Sequence, residues 1–423
     1  MSCNEWKETE IGKIPAHWDF APMKDYVEIN MGQSPKSEFY NTTGEGLPFL
    51  QGNRTFGMKY PYYDTYSSNI KKVAQEGDIL FSVRAPVGDV NIATEEFCIG
   101  RGIASLRMKN GNQEYLYYLL REYRKYIENR ESGTVFGSIN KKGLEELKLP
   151  FPPKEEQEKI ANILSSLDNK IELNNEMNKN LEKMAQSIFK RWFVDFEFLN
   201  EEGQPYKSSG GEMVDSELGM IPKGWEVKTI EDLCEVGSSK RIFMKEYVDS
   251  GIPFYRGKEI IEKSKGNSIS TELFITKERF EEIKEKFGVP NKNDILLTSV
   301  GTLGVAYLVD DEEFYFKDGN LTWFKNFKEE VYRYFIYQWI ISSEGKKSID
   351  AITIGSTQKA LTINALKGMK LVLPSNDILS LFEGFIKSNI NNIRSNNEEK
   401  NNLIDIRDSL LPKLMSGEIN LSK

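Results

Sequence analysis

The chain has 423 residues, of which 39% are hydrophobic and 28% are charged, and its formal net charge is −8 at pH 7. This length allows two or three domains, and no apolar run approaches the roughly 18 residues that a membrane helix requires. Phosphate neutralisation dominates nucleic-acid binding, so an acidic chain that binds nucleic acid would need local basic surfaces or a basic partner.

The first ten residues, MSCNEWKETE, lack a basic flank followed by an apolar core, so no signal peptide is predicted. The cysteines Cys3, Cys98 and Cys234 are odd in number and far apart, which excludes a disulfide framework and a metal-ligand spacing. The single histidine, His17, has no catalytic partners beside it in the sequence, and we interpret it as an exposed turn residue. The expected compartment is the cytoplasm.

The opening stretch IGKIPAHW, residues 11–18, returns as LGMIPKGW at residues 218–225. The shift between the two tryptophans is 225 − 18 = 207 residues. The matched residues are Ile14, Pro15 and Trp18 in the first copy and Ile221, Pro222 and Trp225 in the second. This recurrence predicts a duplicated unit about half the chain long, in which these residues are structural.

The similarity continues along the chain. The later matches are LPFLQGN (47–53) with IPFYRGK (252–258), GDILFSVRAPVGDV (77–90) with NDILLTSVGTLGVA (293–306), EEF (95–97) with EEF (312–314), and LKLPFP (147–152) with MKLVLP (369–374). The shift drifts through 205, 216 and 217 and settles at 222 from Gly133 onward. Insertions in surface loops would produce such a drift.

Each copy begins with short β-type runs, such as DILFSV and DILLTSV, broken by Gly, Pro and Asn, with helical stretches such as QEYLYYLLREYRKYIENR between them. A long helical pattern follows in each copy. The predicted class is therefore α+β, with two similar mixed α/β globular domains and two long helices. The predicted segments are a globular domain at 1–150, a helix at 151–197, a second globular domain at 198–373 and a C-terminal helix at 374–423.

Both long helices carry start and stop signals. Pro152 and Pro153 stand where a helix can begin, and the acidic pair that follows them favours its positive end. In the second copy Asn376 is a plausible N-cap. Pro412 is expected to bend or end the final turn, because proline lacks the backbone N–H that a helix interior uses.

Apolar residues recur at alternating spacings of four and three in both helices, which is the pattern of a coiled-coil seam. The seam residues are Ile160, Leu164, Leu167, Ile171, Asn174, Asn178, Leu181, Ala185, Ile188 and Trp192 in the first helix, and Phe382, Ile386, Asn389, Ile393, Asn396, Lys400, Leu403, Arg407, Leu410 and Leu414 in the second. Both stripes are polar near the midpoint, so an antiparallel pair would bring these polar layers together. The alternative is that each helix packs only on its own domain.

These motifs, in this order and in two copies, resemble the specificity subunit of Type I restriction-modification enzymes over nearly the whole chain. The residues that carry the resemblance are Gly219, Pro222 and Trp225; Gly355, Ser356, Thr357 and Gln358; and Pro150, Pro152, Pro153, Glu155, Glu156, Gln157, Ile160 and Ala161. Two runs depart from the family pattern. The first copy has GTVF at 133–136 in place of GSTQ, and the second has Pro374, Ser375 and Asn376 in place of the PPxxEQ run.

The resemblance implies that the two globular domains are target recognition domains, each reading one half of a split double-stranded DNA site. It implies that the long helices, arranged about a pseudo-twofold axis, set the spacing and dock two modification subunits that carry S-adenosylmethionine and methylate adenine. Restriction subunits would join the full complex and cleave DNA with ATP and Mg²⁺. This chain itself would be non-catalytic and bind no cofactor or metal, in agreement with its lack of a GxGxxG or GxxxxGK(S/T) run.

Base readout uses mainly Arg, Lys, Asn and Gln, and phosphate contacts use Lys, Arg, Ser and Thr. By residue type and loop position, the DNA-binding candidates are Lys36, Gln51, Asn53, Arg54, Thr55, Lys59, Arg84 and Arg101 in the first domain, and Lys240, Arg241, Lys245, Arg256, Lys258 and Lys317 in the second. The loop after LPF and its counterpart after IPF differ chemically, as expected if they read different bases. The alternative is ordinary solvated loop polarity. For Tyr60, Tyr62, Tyr63 and Tyr66, packing is favoured over base contact.

Two other functions fit the same pattern. The first is a specificity module of a single-chain or Type II-like restriction system, and the second is a coiled-coil adaptor that binds only protein. If the chain is a specificity subunit, two half-sites whose centres lie about one helical turn apart, roughly 34 Å, would face the same side of the duplex. We expect weak DNA binding by the isolated chain and tight binding by the assembled complex.

Overall fold

A computed structural model describes residues 5–129, 137–355 and 359–421. Cys3, the GTVF run at 133–136 and the last three residues of the GSTQ run, 356–358, lie outside the described residues. The chain forms two compact units. One comprises Met1–Ile171 with Asn402–Lys423, and the other comprises Glu172–Asn401. Each unit thus contains one globular domain and a segment of each long helix.

The first globular domain is built from short strands and short helices. Its strands are β1 (Trp6–Thr9), β2 (Gly12–Pro15), β3 (Asp19–Pro22), β4 (Val27–Met31), β5 (Tyr40–Asn41), β6 (Leu47–Leu50), β7 (Tyr66–Ser67), β8 (Val73–Ala74), β9 (Ile79–Ser82), β10 (Val90–Ile92), β11 (Phe97–Ile99), β12 (Ile103–Met108) and β13 (Lys148–Phe151). Its helices are α1 (Met23–Tyr26), α2 (Gln113–Glu122), α3 (Arg124–Glu128) and α4 (Lys141–Glu146), with 3₁₀ turns at Ser37–Phe39 and Asn53–Thr55. The first long helix, α5 (Lys154–Phe193), follows.

The second globular domain repeats this order with additional helices. Its strands are β14 (Met213–Ser216), β15 (Gly219–Pro222), β16 (Glu226–Thr229), β17 (Glu235–Gly237), β18 (Ile252–Tyr255), β19 (Phe274–Ile275), β20 (Ile295–Thr298), β21 (Ala306–Leu308), β22 (Tyr315–Phe316), β23 (Leu321–Lys325) and β24 (Lys370–Leu373). Its helices are α6 (Gly257–Ser264), α7 (Lys277–Lys286), α8 (Glu330–Ile341), α9 (Ser343–Ile352) and α10 (Ile363–Lys367), with 3₁₀ turns at Ile230–Asp232 and Met244–Glu246. The second long helix is α11 (Asn376–Met415).

Two sheets form the centre of the first domain. The antiparallel sheet has the order β10-β9-β12-β4, and the mixed sheet has the order β5-β7-β6-β11-β8, in which β6 and β11 are parallel. Both faces of β9 are buried: Ile79 and Phe81 belong to the core that includes α2, whereas Leu80 packs with the apolar residues of β11. Burial on both faces explains why the DILF run is continuously apolar rather than alternating.

The second domain repeats the antiparallel sheet and the parallel strand pair, but its mixed sheet has three strands, in the order β19-β18-β22, where the first domain has five. Its antiparallel sheet has the order β17-β23-β20-β21, and the pair β18–β22 is parallel, as β6–β11 is. The register agrees as well, because Phe49 pairs with Cys98 in the first domain and Phe254 pairs with Tyr315 in the second. The predicted internal repeat and the α+β class are therefore confirmed.

The repeated IPxxW turns are buried in each domain. Ile14 and Trp18 are buried in the first copy. Their counterparts Ile221 and Trp225 are buried in the second. His17 is exposed as predicted, and its Nε2 lies 2.8 Å from Glu156 Oε1. The sequence could not show this contact, since the two residues are 139 positions apart.

The long helices match in length and position. α5 and α11 have 40 residues each, and their first residues are offset by 376 − 154 = 222, the shift predicted from the sequence. Pro412 does not end α11, which continues to Met415. Pro412 lies in the last turn and is exposed, and the neighbouring Leu411 and Leu414 are buried in the first unit's core, which compensates for the missing helical hydrogen bond.

The helices pair in antiparallel orientation within the second unit. Asn174 Nδ2 donates to Glu399 Oε2 at 2.8 Å, and Asn178 Nδ2 donates to Asn397 Oδ1 at 2.9 Å. Farther along α5, the carbonyl of Leu181 accepts from the earlier residue Asn389 at 3.5 Å. Later residues of α5 therefore contact earlier residues of α11, as an antiparallel pair requires.

The polar midpoint of the seam is buried. Asn396 Nδ2 donates to Asn178 Oδ1 at 2.8 Å, and Lys400 is only 4% exposed. Burial lowers the pKa of Lys400, because the ammonium is removed from water. In the first unit, Ile160 and Leu164 of α5 share a core with Leu414 of α11. The remaining seam residues of the two units are buried or half-buried: Leu167, Ile171, Asn174, Leu181, Ala185, Ile188, Trp192, Phe382, Ile386, Asn389, Ile393, Leu403, Arg407 and Leu410.

Among the residues described here, no helix combines the length and the apolar character needed to cross a lipid bilayer.

Candidate nucleic-acid interface

Three loops of the first domain meet at one place, which we call the first platform (residues 32–36, 51–52 and 100–102). The backbone N–H of Arg101 donates to Ser34 Oγ at 3.0 Å, and Ser34 Oγ donates to Gln51 Oε1 at 3.0 Å. The N–H of Gly102 donates to the carbonyl of Gln51 at 3.1 Å. These bonds tie candidate side chains from three distant parts of the sequence into one surface.

Glycine is required where the loops of the first platform touch. A Cβ on Gly32 would lie 2.2 Å from the carbonyl oxygen of Gly100, and a Cβ on Gly102 would lie 2.5 Å from that of Gln51. Both distances are far inside van der Waals contact, so only glycine permits this approach. The close packing fixes the backbone that carries Lys36 and Arg101.

The three candidate side chains of the first platform, those of Lys36, Gln51 and Arg101, are exposed. The Lys36 ammonium lies 3.6 Å from Glu38, with 82% of its side chain exposed. Burial, and to a smaller extent the Cys98 thiol, raises the pKa of the neighbouring Tyr40, and the positive charge of Arg101 partly offsets the rise. The first platform is therefore a fixed backbone bearing two exposed cations and one amide.

The second domain contains an equivalent second platform (residues 238–241, 255–258 and 317–320). Gly319 N–H donates to Ser238 Oγ at 3.4 Å, as Arg101 N–H does to Ser34 Oγ in the first copy. Lys317 N–H donates to the carbonyl of Tyr255 at 2.8 Å, as Gly100 N–H does to that of Leu50 at 2.8 Å. The two platforms therefore share these two hydrogen bonds between their loops.

The matching hydrogen bonds identify which positions correspond. The equivalent pairs are Ser34 and Ser238, Gln51 and Arg256, Gly100 and Lys317, and Arg101 and Gly319. The serine is retained, and in each copy a lysine follows it two residues later, Lys36 in the first and Lys240 in the second. The other three positions differ in charge or in hydrogen-bonding capacity. One scaffold thus presents two different sets of side chains.

The sequence prediction of a loop at 256–259 is wrong, because Gly257 begins helix α6. Arg256 is the residue before this helix, and its guanidinium donates to Glu259 at 2.7 Å through Nη2 and at 3.3 Å through Nε. Glu259 is 2% exposed, and although burial acts to raise its pKa, the hydrogen bonds from Arg256 leave that pKa below its ordinary value. Lys258 lies exposed on the first turn of α6.

The other second-domain candidates surround the second platform. Arg241 Nε lies 2.7 Å from Asp318, an ion pair that joins two of the three loops. The Lys240 ammonium lies 5.0 Å from the ring centroid of Phe287. Lys245 is exposed in the 3₁₀ turn that follows, and Lys317 is half-buried.

Several first-domain candidates either bond to other side chains of the protein or are buried. Asn53 donates to Asp89 at 2.6 Å, and Arg54 makes two hydrogen bonds to Asp64 at 2.7 and 2.9 Å. Thr55 is 5% exposed and Lys59 is 8% exposed, so neither presents its side chain on the surface. The burial of Thr55 and Lys59 disfavours direct base contact by these two residues.

Arg84 is exposed beside an isolated β-bridge to Ser138. It lies outside the two hydrogen-bonded platforms.

The tyrosines near this surface divide into two kinds. Tyr63 packs edge-on against Tyr66 at 5.8 Å and against Phe97 at 5.6 Å, and its hydroxyl donates to Glu95 at 2.7 Å. Tyr60, Tyr62 and Tyr63 are exposed, at 40%, 56% and 36%. Packing therefore accounts for the positions of Tyr63 and Tyr66, although Tyr63 also reaches the surface with Tyr60 and Tyr62.

The serines at the centre of the platforms were missed by the sequence analysis. Ser34 and Ser238 are each followed two residues later by a lysine, in SPK and SSK. This SxK recurrence was the available signal, but its meaning depends on hydrogen bonds to loops 67 and 81 residues away.

Within the part of the chain that the structure describes, no group of three His, Cys, Asp or Glu side chains could hold a metal ion. The thiols of Cys98 and Cys234 are unbonded to each other and buried. Burial raises the pKa of both thiols, that of Cys234 to about 12, so these groups are poor nucleophiles at neutral pH.

Comparison with known proteins identifies the family. The model of the Type I restriction modification DNA specificity domain matches twice, at residues 15–183 and 222–403. The MjaIX specificity subunit of a Type I restriction enzyme from Methanocaldococcus jannaschii is 31% identical over 99% of this chain and 97% of its own length. The HindI specificity subunit of a Type I restriction enzyme from Haemophilus influenzae is 24% identical over 98% of this chain and 100% of its own length.

A solved structure shares the fold. The S subunit of a Type I restriction-modification system from M. genitalium superposes with a TM-score of 0.61 at 20% identity, covering 94% of this chain and 96% of that one. The repeated topology, the two long helices and the two family matches agree with one another. The chain belongs to the Type I restriction-modification DNA specificity family, and it is a DNA specificity subunit.

Proposed function

We propose that each globular domain reads one half of a bipartite double-stranded DNA site. The observation that carries this proposal is the pair of platforms, which share one hydrogen-bonded scaffold but differ at the positions of Gln51, Gly100 and Arg101. A duplicated domain that read one sequence twice would gain nothing from these differences. Reading two half-sites of different sequence requires different side chains at these positions.

We further propose that the long helices set the separation of the half-sites and dock two modification subunits. A helix of 40 residues is about 60 Å long at 1.5 Å per residue. On α5, Leu173, Met177 and Met184 are exposed, and their spacing places them on one face. Met184 has an exposed counterpart in Ile406 at 406 − 184 = 222. Leu173 and Met177 correspond instead to Ser395 and Glu399, so the exposed apolar position shared by the two helices, and suited to two copies of one partner, is that of Met184 and Ile406.

Methyl transfer to adenine, with S-adenosylmethionine, would belong to the modification subunits. Cleavage, with ATP and Mg²⁺, would belong to restriction subunits in the full complex. This chain would act in the cytoplasm as the non-catalytic subunit that selects the site. Because its net charge is −8, the modification subunits would supply much of the phosphate contact, and the isolated chain would bind DNA weakly.

A reconstitution tests this proposal. The purified chain is mixed with its modification subunit and S-adenosylmethionine, and methylated adenines are mapped on genomic DNA. The expected result is methylation in a motif with two specified parts and an unspecified spacer, and none with the modification subunit alone. A continuous motif would contradict two-part reading. Methylation that does not depend on the chain would instead favour a protein-binding adaptor.

A further inference from the structure

This inference rests on the proposed function and deepens it. We propose that the two platforms divide the work of DNA binding in the same way. Lys36 and Lys240 contact phosphates of their half-sites, whereas the exchanged positions read bases. The base-reading residues are Gln51 and Arg101 in the first domain and Arg256 in the second.

In both domains a lysine follows a serine that is bonded to the opposite loop. Each lies two residues after a serine whose hydroxyl accepts a backbone N–H from the opposite loop, at 3.0 Å for Ser34 and 3.4 Å for Ser238. An ammonium on a flexible chain is a point charge without the planar fork that distinguishes base edges. A contact that must be made whatever the sequence can keep one residue in both copies, and a phosphate contact is of that kind.

The exchanged positions have the opposite character. Glutamine pairs with two groups on the major-groove edge of adenine, and arginine pairs with two groups on that of guanine. Gln51 in the first domain stands where Arg256 stands in the second, and Arg101 stands where the second domain has Gly319. In the third loop the first domain has its cation at Arg101, whereas the second domain has it at Lys317, the counterpart of Gly100. Replacement of the donor and acceptor set on a constant backbone changes the base that is read.

The reading side chains are held before DNA arrives. Gln51 Oε1 accepts from Ser34 Oγ at 3.0 Å. Arg256 is fixed through Nε and Nη2 by the buried carboxylate of Glu259, and these bonds do not use its Nη1. A guanidinium held in one orientation loses less conformational freedom on binding, which favours a directional contact over a diffuse one. The lysines are held differently, since Lys36 meets the exposed Glu38 and the Lys240 ammonium lies over the ring of Phe287.

The test uses the chain assembled with its modification subunits. DNA binding is measured on matched and mismatched duplexes as a function of salt, and the methylation motif is mapped in parallel. Lys36→Ala and Lys240→Ala should weaken binding to all sequences alike, lower the salt slope by about 0.9 each, and leave the motif intact. Lys36→Arg should restore affinity. Lys142→Ala, which removes an exposed lysine from α4 outside the platform, is the matched control and should change nothing.

The reading residues should behave differently. Arg101→Ala should reduce discrimination at one position of one half-site by about 5- to 150-fold and leave the other half-site unchanged. Arg256→Ala should do the same in the other half-site. Arg101→Lys should retain affinity but not the full discrimination, because an ammonium lacks the bidentate fork.

The division of labour would be overturned if Lys36→Ala altered the motif. It would equally be overturned if Arg101→Ala weakened all sequences alike, or if neither variant had any effect. Thermal melting of each assembled variant shows whether it is folded, and Arg101→Lys and Lys36→Arg provide folded comparisons. If the unmodified chain specified no bipartite motif, the proposed function itself would fail, and that outcome is distinct from a failure of the division.

Discussion

At the scale of single residues, the repeated tryptophan is buried in two different ways. Trp18 Nε1 donates to Glu156 Oε2 at 2.9 Å, and the other oxygen of that carboxylate contacts His17. Trp225 instead stacks on Phe198 at 4.9 Å between ring centroids. The counterpart of Glu156 at 156 + 222 is Ile378. The acidic motif of the first helix is therefore absent from the second, whose tryptophan lies among aromatic rings.

Glu156→Ala should lower the free energy of unfolding by about 1–3 kcal/mol, because it leaves a buried indole N–H without its acceptor. The matched control is His17→Ala, which removes the second partner of the same carboxylate at an exposed position and should change stability by less than about 0.5 kcal/mol. Denaturant unfolding of the full chain measures both. Equal losses for the two variants would show that the Trp18 hydrogen bond is not the stabilising contact.

The sequence could identify the residues of this turn but not their partners. The recurrence of Ile, Pro and Trp at a shift of 207 predicted a structural motif, and Ile14 and Trp18 are buried as expected. The partner Glu156 was assigned only to the start of a helix. Nothing in the local pattern indicates a contact across 138 residues, because that contact depends on where the folded helix begins relative to the β-hairpin.

At the scale of elements, the two helix segments in the first unit are joined by a buried ion pair. Arg407 Nη1 lies 2.8 Å from Asp168 Oδ1, and Tyr118 donates to Asp168 Oδ2 at 2.6 Å. Shifts of 222 place Ile390 at the counterpart of Asp168 and Ala185 at the counterpart of Arg407. Both counterparts are buried in the second unit's apolar core. In the second unit, apolar packing therefore replaces the ion pair of the first unit.

Asp168→Ala should destabilise the chain by about 3–5 kcal/mol, because Arg407 would remain buried without its partner. The double variant Asp168→Ile with Arg407→Ala copies the pair found in the second unit and should recover most of this loss, short of the roughly 1–3 kcal/mol that the buried Tyr118 hydroxyl costs without its acceptor. Denaturant unfolding of the single and double variants makes the comparison. A double variant less stable than Asp168→Ala alone would mean that the ion pair is worth more than apolar packing at this site.

Periodicity was sufficient to predict the helices and insufficient to predict this pair. The four-and-three spacing identified Arg407 as a seam residue, and the structure places it 6% exposed. Asp168 lies beside the seam residue Leu167 and outside the heptad template, so its role was not visible. Similarly, the stretch after IPF was predicted as a loop by analogy with the first copy. It folds as α6 because Glu259 caps the helix through the backbone N–H of Arg256 at 2.9 Å.

At the scale of the whole molecule, an insertion in the second domain explains why the offset between corresponding residues of the two copies changes along the chain. The shift rises from 252 − 47 = 205 at β18 to 295 − 79 = 216 at β20, an insertion of 11 residues. The helices α6 and α7 of the second domain lie in this interval. The antiparallel sheet and the parallel strand pair are kept in both domains, whereas the mixed sheet has five strands in the first and three in the second.

Duplication, fold class and the long helices were predictable because they leave periodic or repeated signals in the sequence. The platforms were only partly predictable. Residue type and loop position selected Lys36, Gln51 and Arg101 correctly as exposed side chains, but also selected Thr55 and Lys59, which are buried. Loop exposure depends on long-range packing, such as the buried Asn91 that holds the Gly57 backbone through hydrogen bonds of 2.9 and 3.0 Å.

The most direct test of two-part reading is a domain exchange. The first globular domain, residues 1–150, is replaced by the corresponding segment of the MjaIX specificity subunit, and the exchanged chain is assembled with its own modification subunits. Mapping of methylated adenines should then show one half-site changed, with the other half-site and the spacer length retained. A motif in which both half-sites change, or neither does, would contradict the assignment of one half-site to each domain.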